Sequence, residues 1–165
     1  PMLTQADANS AAWQVGVRLL KQAIETRLDF VFETTLGGNT ITHLLAEAAS
    51  QGFEVHVWYA GLSSPELHIA RVQSRVRRGG HDIPAAQIHR RYDHSRLNLI
   101  ELLPHLATLR VYDNSVEGDP AAGQIPKPTL VLQMKQGKIC HPSDLAHTPN
   151  WAKPIVAAAL KLSLP

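Results

Sequence analysis

The chain has a single cysteine, Cys140, which rules out an internal disulfide and argues against a thiolate metal cluster. No apolar run reaches bilayer length, and the first residues lack the basic and apolar blocks of a secretory signal. These absences set the expectation of a reducing, cytoplasmic location without membrane contact. An initiating Met is lacking too: the sequence opens at Pro1, which fits either a removed Met or a piece of something longer. Several catalytic patterns are missing. The phosphate-loop pattern G-x-x-x-x-G-K-[ST] does not occur, because the only Gly-Lys pair, Gly137-Lys138, is followed by Ile139. No G-x-S-x-G and no H-E-x-x-H is present. His43, His56, His68, His81, His89, His94, His105, His141 and His147 are scattered. They read as surface or packed imidazoles, so no metal site is expected, and His81 alone invites a test.

Charge is scarce overall, with a net +2 over 165 residues, so bulk electrostatics does not call for nucleic acid. Acids are scarcest between 71 and 96, where only Asp82 and Asp93 oppose Arg71, Arg75, Arg77, Arg78, Arg90, Arg91 and Arg96. Such a concentration is a footprint for something anionic. Only Tyr92 could stack on a base within that segment, which places RNA binding low.

The length fits one domain, residues 1–165, with a sizeable core. Residues 5 to 27 have a helical rhythm at Ala12, Val15, Leu19 and Ala23. Phe30-Val31-Phe32 reads as a short buried strand ending at Glu33. Asn39 is a candidate cap for a helix with Ile41, Leu44, Leu45 and Ala48 inward and Gly52 at its end. "FEVHVWYAGL" alternates as a strand. Ser63 and Glu66 have capping-box spacing ahead of a helix that stops at Gly79-Gly80. A further helix spans about 85 to 103, and "TLRVYDNS" is a third strand. A connection with Pro120, Pro126 and Pro128 leads to a strand or hairpin in "TLVLQMKQGKIC", and "NWAKPIVAAALKL" is a closing helix. Helices alternating with strands predict an α/β fold, a three-layer and mostly parallel sheet.

In the helix after Pro65, Arg71, Arg75 and Arg78 fall at i, i+4 and i+7, on one face. Ile69, Val72 and Val76 form a separate apolar stripe, and Arg77 reads as solvated. Two arginine helices around a double glycine resemble a lid that closes on a polyphosphate, since guanidinium forks match phosphate oxygens. A solvated basic face is the plainer alternative. At Glu33, Thr34 and Thr35 a carboxylate could orient a hydroxyl or act as a base. Equally open is a turn satisfied by the threonines, with Glu33 paired to an arginine. Gly37-Gly38 permits a sharp turn into the helix or close approach of a substrate. Asp113, Asn114 and Ser115 at a strand end could flank a nucleotide or form a simple Asx-turn.

"FVFETTLGG", "GLSSPELHIARVQSRVRRGGHDIP", "IHRRYDHSRLNL" and "VYDNS" together resemble the zeta-toxin family of P-loop kinases, in its predicted-ATPase branch. The likeness runs in order over about residues 10 to 118, and more weakly in "PNWAKPIVAAAL". It implies a parallel α/β sheet, ATP and Mg²⁺ as cofactors, and γ-phosphate transfer to a small acceptor such as a UDP-activated amino sugar. Glu33, Thr34 and Thr35 match the substrate-side motif. Arg75 and Arg91 match lid positions that reach the nucleotide phosphates, with Arg71, Arg78 and Arg90 beside them. Asp113 and Asn114 stand on the nucleotide side, and Gly79, Gly80, His81 and Asp82 match the hinge.

The sequence departs from that family where the chemistry is heaviest. The Walker A loop and first strand lie ahead of the segment where this chain starts, and the catalytic aspartate has no counterpart. The usual A-G-R reads Val15-Gly16-Val17. The resemblance therefore implies the acceptor corner and arginine lid of a phosphotransferase, without its phosphate loop. The alternative is a catalytically inactive remnant serving as a binding module. An antitoxin or a second copy stands open as its partner.

Overall fold

The computed structural model describes residues 5–116, 127–142 and 144–164. Among them, a four-stranded sheet is ordered β1 (His56–Gly61), β2 (Thr108–Asp113), β3 (Thr129–Lys135), β4 (Lys138–His141). Five α-helices accompany it: α1 (Gln5–Thr26), α2 (Asn39–Ser50), α3 (Pro65–Val76), α4 (Ala85–Leu102) and α5 (Lys153–Ser163). The α/β class is as the sequence indicates. Strands β1 and β2 are parallel, joined through α3 and α4, whereas β2–β3 and β3–β4 are antiparallel. Most of the sheet is thus antiparallel, against the parallel expectation. For β3–β4 the local reason is a two-residue turn: Gln136 and Gly137 both have positive φ (48° and 74°), which folds β4 straight back on β3. The proline-rich connection at Pro120 and Pro126 lies outside the described residues.

The core forms where alternating strand residues meet helix stripes. Leu109, Val111, Leu132 and Met134 from the sheet pack with Leu99 and Leu102 of α4 and Ile155 and Ala159 of α5. On β1 the alternation is plain, with Val57 and Tyr59 packed against this core and His56, Trp58 and Ala60 exposed. In α1 the buried face is Leu20, Ala23 and Ile24; of the stripe expected from its rhythm, Val15 and Leu19 are exposed. Ala23 of that stripe is buried, and among the described residues the buried positions all lie in the C-terminal half of α1.

Residues 30–33 are not a strand. Val31 is 96% exposed, and only Phe32 packs against the core. Apolar character supports a strand only where a neighbour completes the ladder, and none of the described strands pairs here. Two caps also shift. Gly38, not Asn39, holds the N-cap position of α2, with no side-chain cap. Ser64, not Ser63, caps α3, its Oγ accepting from Leu67 N at 3.2 Å. Gly52 follows α2 in the left-handed region (φ 88°), and Phe53 N–H donates to Ala48 O, which closes the helix end as expected.

Candidate functional site

The corner between residue 33 and α2 is shaped by a leucine in an unusual conformation. Leu36 has φ 49°, in the left-handed region, and its side chain is buried. Its N–H donates to Thr34 Oγ1 at 3.1 Å, and its carbonyl accepts from Asn98 Nδ2 at 2.8 Å. Gly37 follows, with the stem of Arg91 laid across it. A Cβ built at Gly37 would sit 2.9 Å from Arg91 Cγ and 3.5 Å from Thr35 Oγ1. Close approach is therefore why glycine is needed, and the approaching group is an arginine of α4. Gly38 has open space around it. Glu33, Thr34 and Thr35 are exposed, and Glu33 makes no ion pair or hydrogen bond among the described residues.

The arginines expected to form a lid divide. Helix α3 ends at Val76, so Arg78 lies beyond it and folds back, Nε to Ser74 O and Nη2 to Ser74 Oγ. Arg75 turns into the hinge: its Nη2 donates to His81 O at 3.3 Å, and its Cγ crowds Gly80, where a Cβ would come within 2.5 Å. The single arginine face read from the spacing is broken by this helix end. Arg71 Nη2 reaches Val116 O at 3.4 Å, just past the end of β2. On α4, Arg90 is exposed, while Arg91 is half-buried against the corner. Arg96 is structural: it pairs with Asp93, stacks 4.2 Å from the Tyr92 ring centroid, and donates to Trp151 O.

The carboxyl ends of β1 and β2 lie side by side, Gly61 opposite Asp113. Tyr92 OH donates to the carbonyl region of Leu62 and Ser63 (3.2 and 3.0 Å), tying α4 to the end of β1. Asp113 Oδ1 accepts from Ser115 N at 3.0 Å and from the Ser115 hydroxyl. The Asx-turn reading therefore accounts for this carboxylate, and Asn114 N–H donates to Gly61 O. Trp151 is buried over Gly61, where a Cβ would fall 2.2 Å from its ring. His68 meets the Tyr92 ring edge-on at 5.9 Å. Burial, and then the nearby Arg71 charge, hold its pKa below the usual imidazole value. Burial likewise pushes Tyr59 up, against the opposing effect of its hydrogen bond with Ser95. At the start of α3, Glu66 is lowered by its own backbone N–H and then by Ser64.

The structure thus brings Thr35, Gly37 and Arg91 together, and separately sets Arg71 beside the end of β2. Asn98 and Trp151 were not singled out from the sequence, and Tyr92 was weighed there only as a residue that could stack on a base. An asparagine on the buried face of a helix is the one signal that could have found Asn98, since a buried amide needs a partner. Among the described residues no cluster of three His, Cys, Asp or Glu could hold a metal ion.

A parallel strand pair connected through two arginine-bearing helices, with an antiparallel extension, defines an α/β protein. The Zeta toxin family model matches residues 4–117, and the chain belongs to that family of kinase-like phosphotransferases. A Haemophilus influenzae relative described as an uncharacterized protein is 36% identical over 92 residues, 56% of this chain and 63% of the relative. The chain thus spans less than two thirds of that relative's length. No solved structure matches. No helix among the described residues is long and apolar enough to cross a membrane.

Proposed function

We propose that this chain carries the acceptor corner and arginine lid of an ATP-dependent phosphotransferase acting on a small hydroxyl acceptor, of which UDP-activated amino sugars are the leading class. The observation that carries the reading is Arg91 laid across Gly37 beside the Thr35 hydroxyl. It sets a guanidinium-bearing residue next to the polar corner, which is what transfer to a bound hydroxyl needs. Glu33, exposed and without a partner among the described residues, would bind the acceptor in this reading and could take its proton. Thr34 and Thr35 hold the acceptor side; Arg91 and, on opening of its bond to His81 O, Arg75 neutralise transferring phosphate. Arg71, Arg78 and Arg90 add positive field. Asp113 and Asn114 flank the nucleotide side mainly through backbone, given the Asx-turn.

The residues present fit phosphate oxygens but not the whole of Mg²⁺–ATP. No Walker A sequence occurs in the 165 residues, and the described side chains offer no metal cage. In this reading the phosphate loop comes from a segment other than these residues. Isothermal titration tests it. The chain should bind UDP-N-acetylglucosamine measurably and Mg²⁺–ATP poorly, with ATP binding gained on joining a Walker A segment upstream. No binding of either, before and after that addition, refutes it.

A second reading, a binding module without catalysis, is favoured by one observation. Among the described residues, strand β1 is an edge of the sheet with one side unpaired, and Trp58 on it is 74% exposed. An antitoxin or a second copy could add a strand there. Sedimentation as a monomer, with no strand-adding partner recovered in cross-linking, would count against it.

A further inference from the structure

The strained corner and the lid are held by one face of one helix. Arg91 and Asn98 are seven residues apart on α4, so they share a face. That face meets two successive residues of the corner: Asn98 holds the Leu36 carbonyl at 2.8 Å, and the Arg91 stem covers Gly37. Leu36 occupies a left-handed conformation that an L-residue keeps only when its surroundings hold it. Its side chain is buried in the core, so glycine could not replace it without loss of packing. Asn98 is itself only 6% exposed, and its amide is directed at that carbonyl.

The structure assigns Asn98 as the positioning residue of the acceptor corner: its side-chain amide fixes the left-handed Leu36, and thereby sets Thr35 beside Arg91. Without that donor the Leu36 carbonyl would be left buried and unpaired, and the simplest relief is rotation of the Leu36–Gly37 peptide. Rotation there moves Thr35 on one side and uncovers Gly37 from Arg91 on the other. The lid helix and the acceptor corner are then no longer in register, although the core of α4 is intact. The claim about ligand binding rests on the acceptor reading above; the claim about the corner's conformation does not.

Substitution Asn98→Asp tests it in the full chain. A protonated carboxyl can donate to the Leu36 carbonyl, whereas a carboxylate cannot. Burial raises the pKa of such an acid, so the change falls within an accessible pH range. Amide hydrogen exchange, corrected for intrinsic rates, should show Leu36 protection at least tenfold below wild type when the acid is ionised. Protection should return on acidification, with Leu99 and Leu102 on the same helix unchanged. Asn98→Leu, which avoids a buried charge, should lose Leu36 protection at every pH. Affinity for UDP-N-acetylglucosamine should fall about tenfold alongside. Equal loss of protection at Leu36, Leu99 and Leu102 in both variants would reduce Asn98 to a fold-stabilising residue and overturn the assignment. Unchanged Leu36 protection in both would overturn it as well. If wild type binds no UDP-sugar, the acceptor reading fails, while the exchange comparison still decides the role of Asn98.

Discussion

Two glycines in this molecule lie under the methylenes of an arginine, and they differ in what holds the arginine. At the corner, Gly37 is covered by Arg91, whose helix is anchored by the buried Asn98, Ser95 and Leu99. At the hinge, Gly80 is covered by Arg75, a few residues earlier, whose guanidinium reaches only the carbonyl of His81. The first contact joins distant parts of the chain through the core. The second is a local wrap at the surface around a helix end closed by Gly80 N–H to Arg75 O. One arginine is therefore held by contacts across the fold, and the other by contacts within its own turn. Under the proposed function, the second kind suits a lid and the first a fixed acceptor site.

Removing the floor under the anchored side should have the largest effect. Trp151→Ala deletes the ring that covers Gly61 and opens a cavity, for about 3–5 kcal/mol of stability by urea unfolding. A loss below about 1 kcal/mol would mean that the end of β1 and α4 do not depend on this packing. Gly37→Ala comes next. Its Cβ meets Arg91 Cγ at 2.9 Å, so overpacking should cost about 1–3 kcal/mol. Most of that cost should vanish in an Arg91→Ala background, and an unchanged cost in the double-mutant cycle would show the contact is not the cause.

Gly80→Ala should cost a similar amount, about 1–3 kcal/mol: its Cβ would meet Arg75 Cγ at 2.5 Å, which can turn away, and the Arg75 carbonyl at 3.1 Å, which cannot. An Arg75→Ala background should relieve only the side-chain part, and complete relief in that double-mutant cycle would show that the backbone contact does not matter. The smallest effect concerns pH. His68 has a depressed pKa in the fold, so the unfolded chain takes up its proton first. Its contribution to stability is present in full above the ordinary value of about 6.5 and lost as pH falls through it toward the folded value. His68→Phe should flatten that part of the stability curve, and a slope equal to wild type would assign the pH dependence to other groups.

Legibility in the sequence followed the range of the interactions. The extents of α4 and α5 and the hairpin came out close, since turn residues and helical periods act over a few positions, whereas α3 ends at Val76, short of the stop expected at Gly79-Gly80. Phe30-Val31-Phe32 misled because strand character in a short apolar run is realised only beside a pairing partner. The arginine face misled for a different reason: i, i+4, i+7 spacing presumes a helix that continues, and α3 ends before Arg78.

By itself, the sequence determined the family, the α/β class, the absence of a phosphate-loop pattern from these residues and the concentration of arginines between 71 and 96. Each is carried by residue identity or short spacing. Only the tertiary structure decided which arginine meets the corner, that Asn98 holds Leu36, and that Asp113 spends its carboxylate on a turn. Those outcomes depend on which polar groups find one another across the fold, and no local spacing records that.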